Sequence, residues 1–289
     1  MTDPDVPANW YPDPAGDAEL RYWDGGSWTL AAVKDGQVVD EAMHPDAVAS
    51  AWEEQRDDRA AWPGRVTLVV AAGAGVAIAL AVAMPVLAGT LWDGSRFAGL
   101  LASTVGLWSG LLATCWWVSR RYGTGRLGQD YGLRFRRYDI AAGVGLAAGA
   151  RLLAVVVVVP LVLLLGQPVM RNLRPVGDVT TGIGGSIILV VVLVVGAPVI
   201  EELFFRGLLQ RALEAQLAPA WAVVAQATVF GLAHLNNQLG VANVVVFAST
   251  AVGGVVFGVA ARTTRRLGPG IVGHGAFNVL PAILLLVGA

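Results

Sequence analysis

Charge is what this chain of 289 residues has least of: Asp, Glu, Lys and Arg together make up 14% of it, against 55% apolar residues. Lysine is nearly missing, with Lys34 the only one, and there is one cysteine, Cys115, and three histidines. A lone cysteine excludes an intramolecular disulfide and any cysteine metal site. So few charges exclude an ordinary soluble globule, because runs of eighteen or more nearly uncharged residues read as membrane helices. The charges present are segregated. Residues 1–61 hold 14 acidic and 4 basic side chains, and the remainder holds 7 acidic side chains against 16 arginines. This balance orients a protein in a bilayer and leaves no nucleic-acid footprint. The start, Met1-Thr-Asp-Pro-Asp5, lacks a basic stretch followed by an apolar core, so it is not read as a secretory signal, and the first membrane helix is expected to act as the insertion signal.

Apolar spans are expected at about 66–91, 97–119, 139–165, 183–212, 219–238, 241–261 and 270–288. The fold class is therefore an all-α polytopic membrane protein of about seven transmembrane helices, multi-pass in the plasma membrane. Between the second and third spans lie Arg120, Arg121, Arg126, Arg134, Arg136 and Arg137, and a later turn holds Arg262, Arg265 and Arg266. By the positive-inside rule both loops are cytoplasmic, and so is the N-terminus. The segment 166–182, with only Arg171 and Arg174, falls outside.

Residues 1–44 read as a separate small β module. Asn9-Trp-Tyr-Pro-Asp-Pro14 and Leu20-Arg-Tyr-Trp-Asp-Gly-Gly-Ser-Trp-Thr29 alternate aromatics with turn residues. Turns are expected at Asp24-Gly25-Gly26 and Lys34-Asp35-Gly36, with Trp10, Tyr22, Trp23 and Trp28 as the core. The module is either a docking unit for a cytoplasmic partner or a self-contained aromatic core. Residues 45–65 read as a helical linker, and residues 66–289 as the membrane domain.

Polar chemistry inside the membrane domain is confined to few places. An ionisable side chain in a membrane helix is expensive and marks a functional site by default. Glu201-Glu202-Leu-Phe-Phe-Arg206-Gly207 follows a run, Ile183 to Ile200, without any charge. Glu202 and Arg206 stand at i and i+4 in the favourable order for an ion pair, whereas Glu201 points about 100° away and stays available for chemistry. Phe230 and His234 share one face, as do His274 and Asn278. Pro198, one turn before Glu201, frees a carbonyl and is expected to kink or open the helix. Gly207, Gly231, Gly273 and Gly275 let backbones approach beside these residues. Taken singly, each imidazole or amide reads as an interhelical hydrogen-bonding group. Together they make a candidate reaction centre.

Two mechanisms fit the set. In one, Glu201 and His234 activate a water while His274 and Asn278 stabilise an oxyanion. In the other, Glu201, His234 and His274 hold Zn²⁺ with water in the fourth position. The absence of a His-Glu-x-x-His helix weighs towards the metal-free version, and no metal ligand is assigned. Counting along straight helices puts His274 shallow, Glu201 deeper and His234 deepest, so tilted or broken helices must bring them level. Arg151, midway along the third span, reads either as a substrate-carboxylate contact or as a structural partner of another helix's acid or carbonyls.

Glu-Glu-x-x-x-Arg-Gly, Phe-x-x-x-His and His-x-x-x-Asn, in this order on successive helices, resemble the CAAX-protease and bacteriocin-processing (CPBP) family of intramembrane proteases over residues 183–289. The resemblance implies an endopeptidase acting on a membrane-associated protein or peptide near the cytoplasmic side. It implies that Glu201 is the catalytic glutamate, His234 its partner, His274 with Asn278 the oxyanion or ligand pair, and Glu202 with Arg206 supporting. The N-terminal stretch resembles a short actinobacterial module of unknown function. One alternative is a non-catalytic immunity or scaffold protein that keeps the fold and binds a peptide or partner. Another is a transporter, which would spread its acids along a path, whereas here they cluster.

Overall fold

The computed structural model describes residues 8–13, 17–24, 28–41, 64–91, 96–166, 182–236 and 239–287. The chain divides into two compact units, Met1–Ala61 and Trp62–Ala289.

In the first unit four strands, β1 (Asn9–Pro12), β2 (Leu20–Trp23), β3 (Trp28–Lys34) and β4 (Gln37–Asp40), form an antiparallel sheet in sequential order. The hairpin between β3 and β4 turns through Asp35 and Gly36, both at positive φ (49° and 72°), as a two-residue primed turn requires. Gly25 and Gly26 of the other expected turn lie outside the described residues, as do residues 46–61, read as a helix. Register sets Trp10 opposite Tyr22 and Trp23 opposite Trp28. Both pairs meet edge-on, with centroids 5.3 Å apart. The expected all-aromatic core needs correction. Trp10, Tyr22 and Trp28 are only half-buried, while Arg21 is fully buried beside Trp23 and Ala32. Its guanidinium pairs with Asp13 at 2.8 Å and donates to the carbonyls of Thr29 and Glu41. With every second strand residue on one face, Arg21 falls between the aromatics of that face, and its hydrogen bonds compensate its burial.

The second unit is helical: α1 (Arg65–Leu91), α2 (Arg96–Tyr122), α3 (Asp139–Leu165), α4 (Gly182–Glu214), α5 (Pro219–Leu232), α6 (Asn243–Thr264) and α7 (Gly268–Val287), with a single turn at Leu127–Asp130. α1 packs along α2, α3 along α6 and α7, and α5 along α6. Among the described residues five segments are long and apolar enough to cross a membrane: Arg65–Leu87, Phe97–Tyr122, Asp139–Leu165, Gly182–Glu214 and Gly240–Thr264. α5 is shorter, at 14 residues, and α7 is not among the five. The seven expected apolar segments are thus all helical, but the count of seven spans is not confirmed.

α4 departs from regular α-helix twice, with π-helical segments at Val192–Gly196 and Glu202–Leu209. Such segments cluster at functional sites. The first lies directly before Pro198, where a break was expected. Here Ala197 N–H reaches back five residues to Val192 O, and in that register Pro198 has no N–H to offer Leu193. Leu193 O accepts instead from the Asn278 side-chain amide at 3.0 Å. α7 approaches α4 so closely here that a Cβ on Gly275 would stand 2.6 Å from Val194 O. The local opening in α4 is therefore closed by α7.

Candidate active site

The boundary between the α-turn Ala197–Glu201 and the second π segment falls between the two glutamates. Glu202 is fully buried, and its Oε1 lies 2.9 Å from Arg206 Nη1. Arg206 is also fully buried, and its guanidinium carbon sits 4.3 Å from the Phe230 ring centroid and 5.8 Å from that of Phe257. None of its nitrogens makes a well-directed hydrogen bond. One carboxylate charge and two aromatic faces therefore hold the cation, consistent with cation–π attraction in a dry site. The i, i+4 spacing correctly indicated this pair.

The same Glu202 Oε1 lies 3.0 Å from His274 Nδ1. A carboxylate can only accept, so this nitrogen carries the hydrogen and Nε2 is turned the other way. This contact was not foreseen: Glu202 fixes an imidazole as well as Arg206. His234 is oriented in like manner. Its Nδ1 donates to Phe230 O at 2.7 Å, and that carbonyl too can only accept. The expected helix 219–238 is shorter than read from hydropathy. α5 ends at Leu232, and His234 lies in the turn just beyond it, which frees its ring to swing toward α4.

Both outward-facing nitrogens converge on one atom. His274 Nε2 lies 3.7 Å and His234 Nε2 3.9 Å from Glu201 Oε2, which is buried without a hydrogen-bond partner. The depth mismatch expected of straight helices is thus removed by the π segments of α4 and the early end of α5. Three acceptors face one another with no donor among them. Separations just beyond hydrogen-bond length, lined by acceptors, suit a bridging water. His274 is buried and His234 about one-third exposed, so the opening is on the His234 side.

Asn278 is brought to the same helix junction but points part of its amide elsewhere. One N–H goes to Leu193 O, which leaves the second for other work. Arg151 is not near the acids in any described contact. It donates to Phe277 O, and its guanidinium carbon stands 3.8 Å from the Phe277 centroid, matching the structural alternative. Among the described residues no group of three or more His, Cys, Asp or Glu side chains is spaced to hold a metal ion.

Three residues escaped the sequence reading. Phe257 stacks on His274 with centroids 5.6 Å apart and planes 17° from parallel. The carbonyls one residue after and three before it, Gly258 O and Gly254 O, accept from Gln210 Nε2 at 3.1 Å and Gln226 Nε2 at 2.8 Å. The two buried amides thereby fix the turn of α6 that carries the stacking ring. Gln210 was legible in principle, since Glu202, Arg206, Gln210 and Glu214 repeat at intervals of four along α4. Nothing local marks Phe257.

Residues 183–280 match the family described as type II CAAX prenyl endopeptidase Rce1-like, and residues 8–41 match a protein family of unknown function, DUF2510. No curated protein and no solved structure gives a match. The first match covers the glutamate pair, both histidines and Asn278, and its family is one of intramembrane CAAX endopeptidases. Residues 183–280 are thus similar to the Rce1-like endopeptidase family and residues 8–41 to DUF2510, in a chain whose described residues include five helices long and apolar enough to cross a membrane.

Proposed function

We propose that the chain is an intramembrane endopeptidase that hydrolyses a peptide bond of a membrane-associated protein or peptide, with water activated by Glu201 and His234. The observation that carries this reading is the convergence of two oriented Nε2 atoms on Glu201 Oε2. A water lying between them donates to two acceptors and keeps a lone pair for attack. Glu201 takes a proton as the water oxygen bonds to the scissile carbon, and the carbonyl electrons move to its oxygen. Collapse of the tetrahedral intermediate expels the amine, which receives the proton from the Glu201–His234 pair. The second N–H of Asn278, and His274 when its Nε2 is protonated, stabilise the oxyanion. Glu202 keeps the His274 ring in place and balances its charge in that state.

The rival zinc site would use Glu201, His234 and His274. Tetrahedral N and O ligands at about 2.0–2.1 Å stand about 3.3 Å apart, closer than the 3.7 and 3.9 Å here. These wider separations support the metal-free reading. Stoichiometric zinc, with activity removed by chelation and restored by zinc, would reverse this choice. The basic segments 120–137 and 262–266 support a cytoplasmic N-terminal module by the positive-inside rule.

The decisive experiment is Glu201→Gln, which keeps size and hydrogen bonding but removes the basic oxygen. Proteins trapped by this variant are identified by mass spectrometry and offered to the unaltered enzyme. The variant should fold normally while turnover falls by at least about two powers of ten. Near-normal turnover by folded Glu201→Gln would sink the assignment.

A further inference from the structure

A groove of about 620 Å³ runs between α3 and α6, away from the glutamate–histidine cluster. Its walls are Leu146 and Leu153 from α3 and Val255, Val256 and Val259 from α6, with Tyr138 and Arg266 at one end. Both helices are long and apolar enough to cross a membrane. The groove exists because α3 carries Gly145 and Gly149 one turn apart, and a Cβ on either would meet nothing within 4 Å. Its volume falls within the range of about 300–1,000 Å³ typical of ligand sites. From Ala142 to Leu153 the helix rises about 16 Å, close to half the roughly 30 Å hydrocarbon core. It therefore has the length of a chain from one leaflet.

The ends differ in charge. Leu153 and Val255 lie at the inner end, whereas the outer end is lined by Tyr138 and Arg266, whose chain neighbours Arg137 and Arg265 are exposed; Arg262 is engaged by Glu214 at 3.5 Å. The only acid among residues 131–140 and 261–270 is Asp139, which is buried and spent on Arg266 at 2.8 Å. Tyr138, half-exposed and touching Arg136 and Arg266, has the amphipathic character of side chains at the headgroup level. An apolar slot one leaflet deep, with the exposed Arg137 and Arg265 beside its mouth, is complementary to one kind of molecule.

We infer that this groove is a binding site for an anionic phospholipid, with one acyl chain along Gly145 and Gly149 and the phosphate at the arginines. This goes beyond the proposed peptidase and does not depend on it. Local anionic lipid held at a basic surface is stabilised by each nearby arginine, and the groove adds burial of the chain.

The test uses the full chain, purified in mild detergent and supplied with dioleoyl phosphatidylglycerol or dioleoyl phosphatidylcholine, with retained lipid counted by native mass spectrometry. The unaltered protein should retain the phosphatidylglycerol in preference. Gly145→Leu with Gly149→Leu fills the slot from positions where an added Cβ meets nothing within 4 Å, so it should keep its melting temperature and lose retained lipid about tenfold. Arg137→Gln with Arg265→Gln should keep chain binding and reduce the headgroup preference about tenfold. Equal retention of both lipids by the unaltered protein would overturn the anionic assignment. Undiminished retention in the folded leucine pair would overturn the groove. Loss of a protein dimer rather than of lipid in that pair would make the occupant a second copy and overturn the proposal as well.

Discussion

Replacing Glu202 by Gln tests the site at its most coupled point. The side chain is buried beside Arg206 at 2.9 Å and His274 at 3.0 Å. Gln keeps the volume and an acceptor for His274 Nδ1 but removes the charge in contact with Arg206, whose guanidinium keeps the rings of Phe230 and Phe257 and the more distant Glu201. Removing one partner of a buried pair costs roughly 3–5 kcal/mol, and the aromatic faces already act in both states, so they offset little. A melting temperature in detergent lower by about 10 °C is expected. Glu202→Gln with Arg206→Met removes the orphaned cation and should recover much of that loss. Activity separates two roles. A purely structural Glu202 would lower activity only in proportion to the folded fraction. Gln still accepts from His274 Nδ1 but no longer balances the charge of protonated His274, so turnover per folded molecule should also fall by about 10–100-fold, and the double variant should not restore it. Unchanged melting temperature in Glu202→Gln would refute the account of the buried pair. Full turnover per folded molecule would refute the charge balance between Glu202 and His274.

Asn278→Leu should lower stability by about 1–3 kcal/mol, since Leu193 O is then unpaired in a dry junction, and denaturant or thermal titration of the variant reads this directly. Removing residues 1–44 should leave membrane insertion and intrinsic peptidase activity intact, because none of the polar motifs lies there; a folded but inactive truncation would contradict this. At Asp130, burial works to raise the carboxyl pKa, but hydrogen bonds from Ser119 and from Thr124 outweigh it and hold the group below its usual range. A depressed folded-state pKa gives stability that is fully present above the unfolded value, about 3.9, and fades as pH falls through the folded one. The melting temperature of the unaltered protein should therefore drop on acidification below about pH 4 more steeply than that of Asp130→Asn, and parallel curves would show the contact to be inert.

Apolar runs required by the bilayer fix the helices, because an unpaired backbone in lipid is too costly for any other local structure. The spacing of Glu202 and Arg206 fixes their pairing, since four residues on one helix are neighbours whatever surrounds them. Asp35-Gly36 fixes a hairpin for an equally local reason. The sequence also placed Glu201, His234 and His274 in one set by residue type and scarcity, and the structure brings these three together. It misjudged the end of α5, because hydropathy continues past Leu232 while the helix does not.

Tertiary structure alone decided the rest. The contact from His274 to Glu202 spans 72 residues, and no local pattern specifies such a pair. Whether Pro198 frees a carbonyl could be read from the chain. Which group answers it could not, since Asn278 reaches Leu193 only when Gly275 lets α7 approach α4. Arg21 entered the module's core because Asp13 and two carbonyls happened to surround it after the strands paired. Local sequence determines elements and same-helix neighbours through fixed backbone geometry, whereas close packing of distant segments decides which buried polar groups find one another.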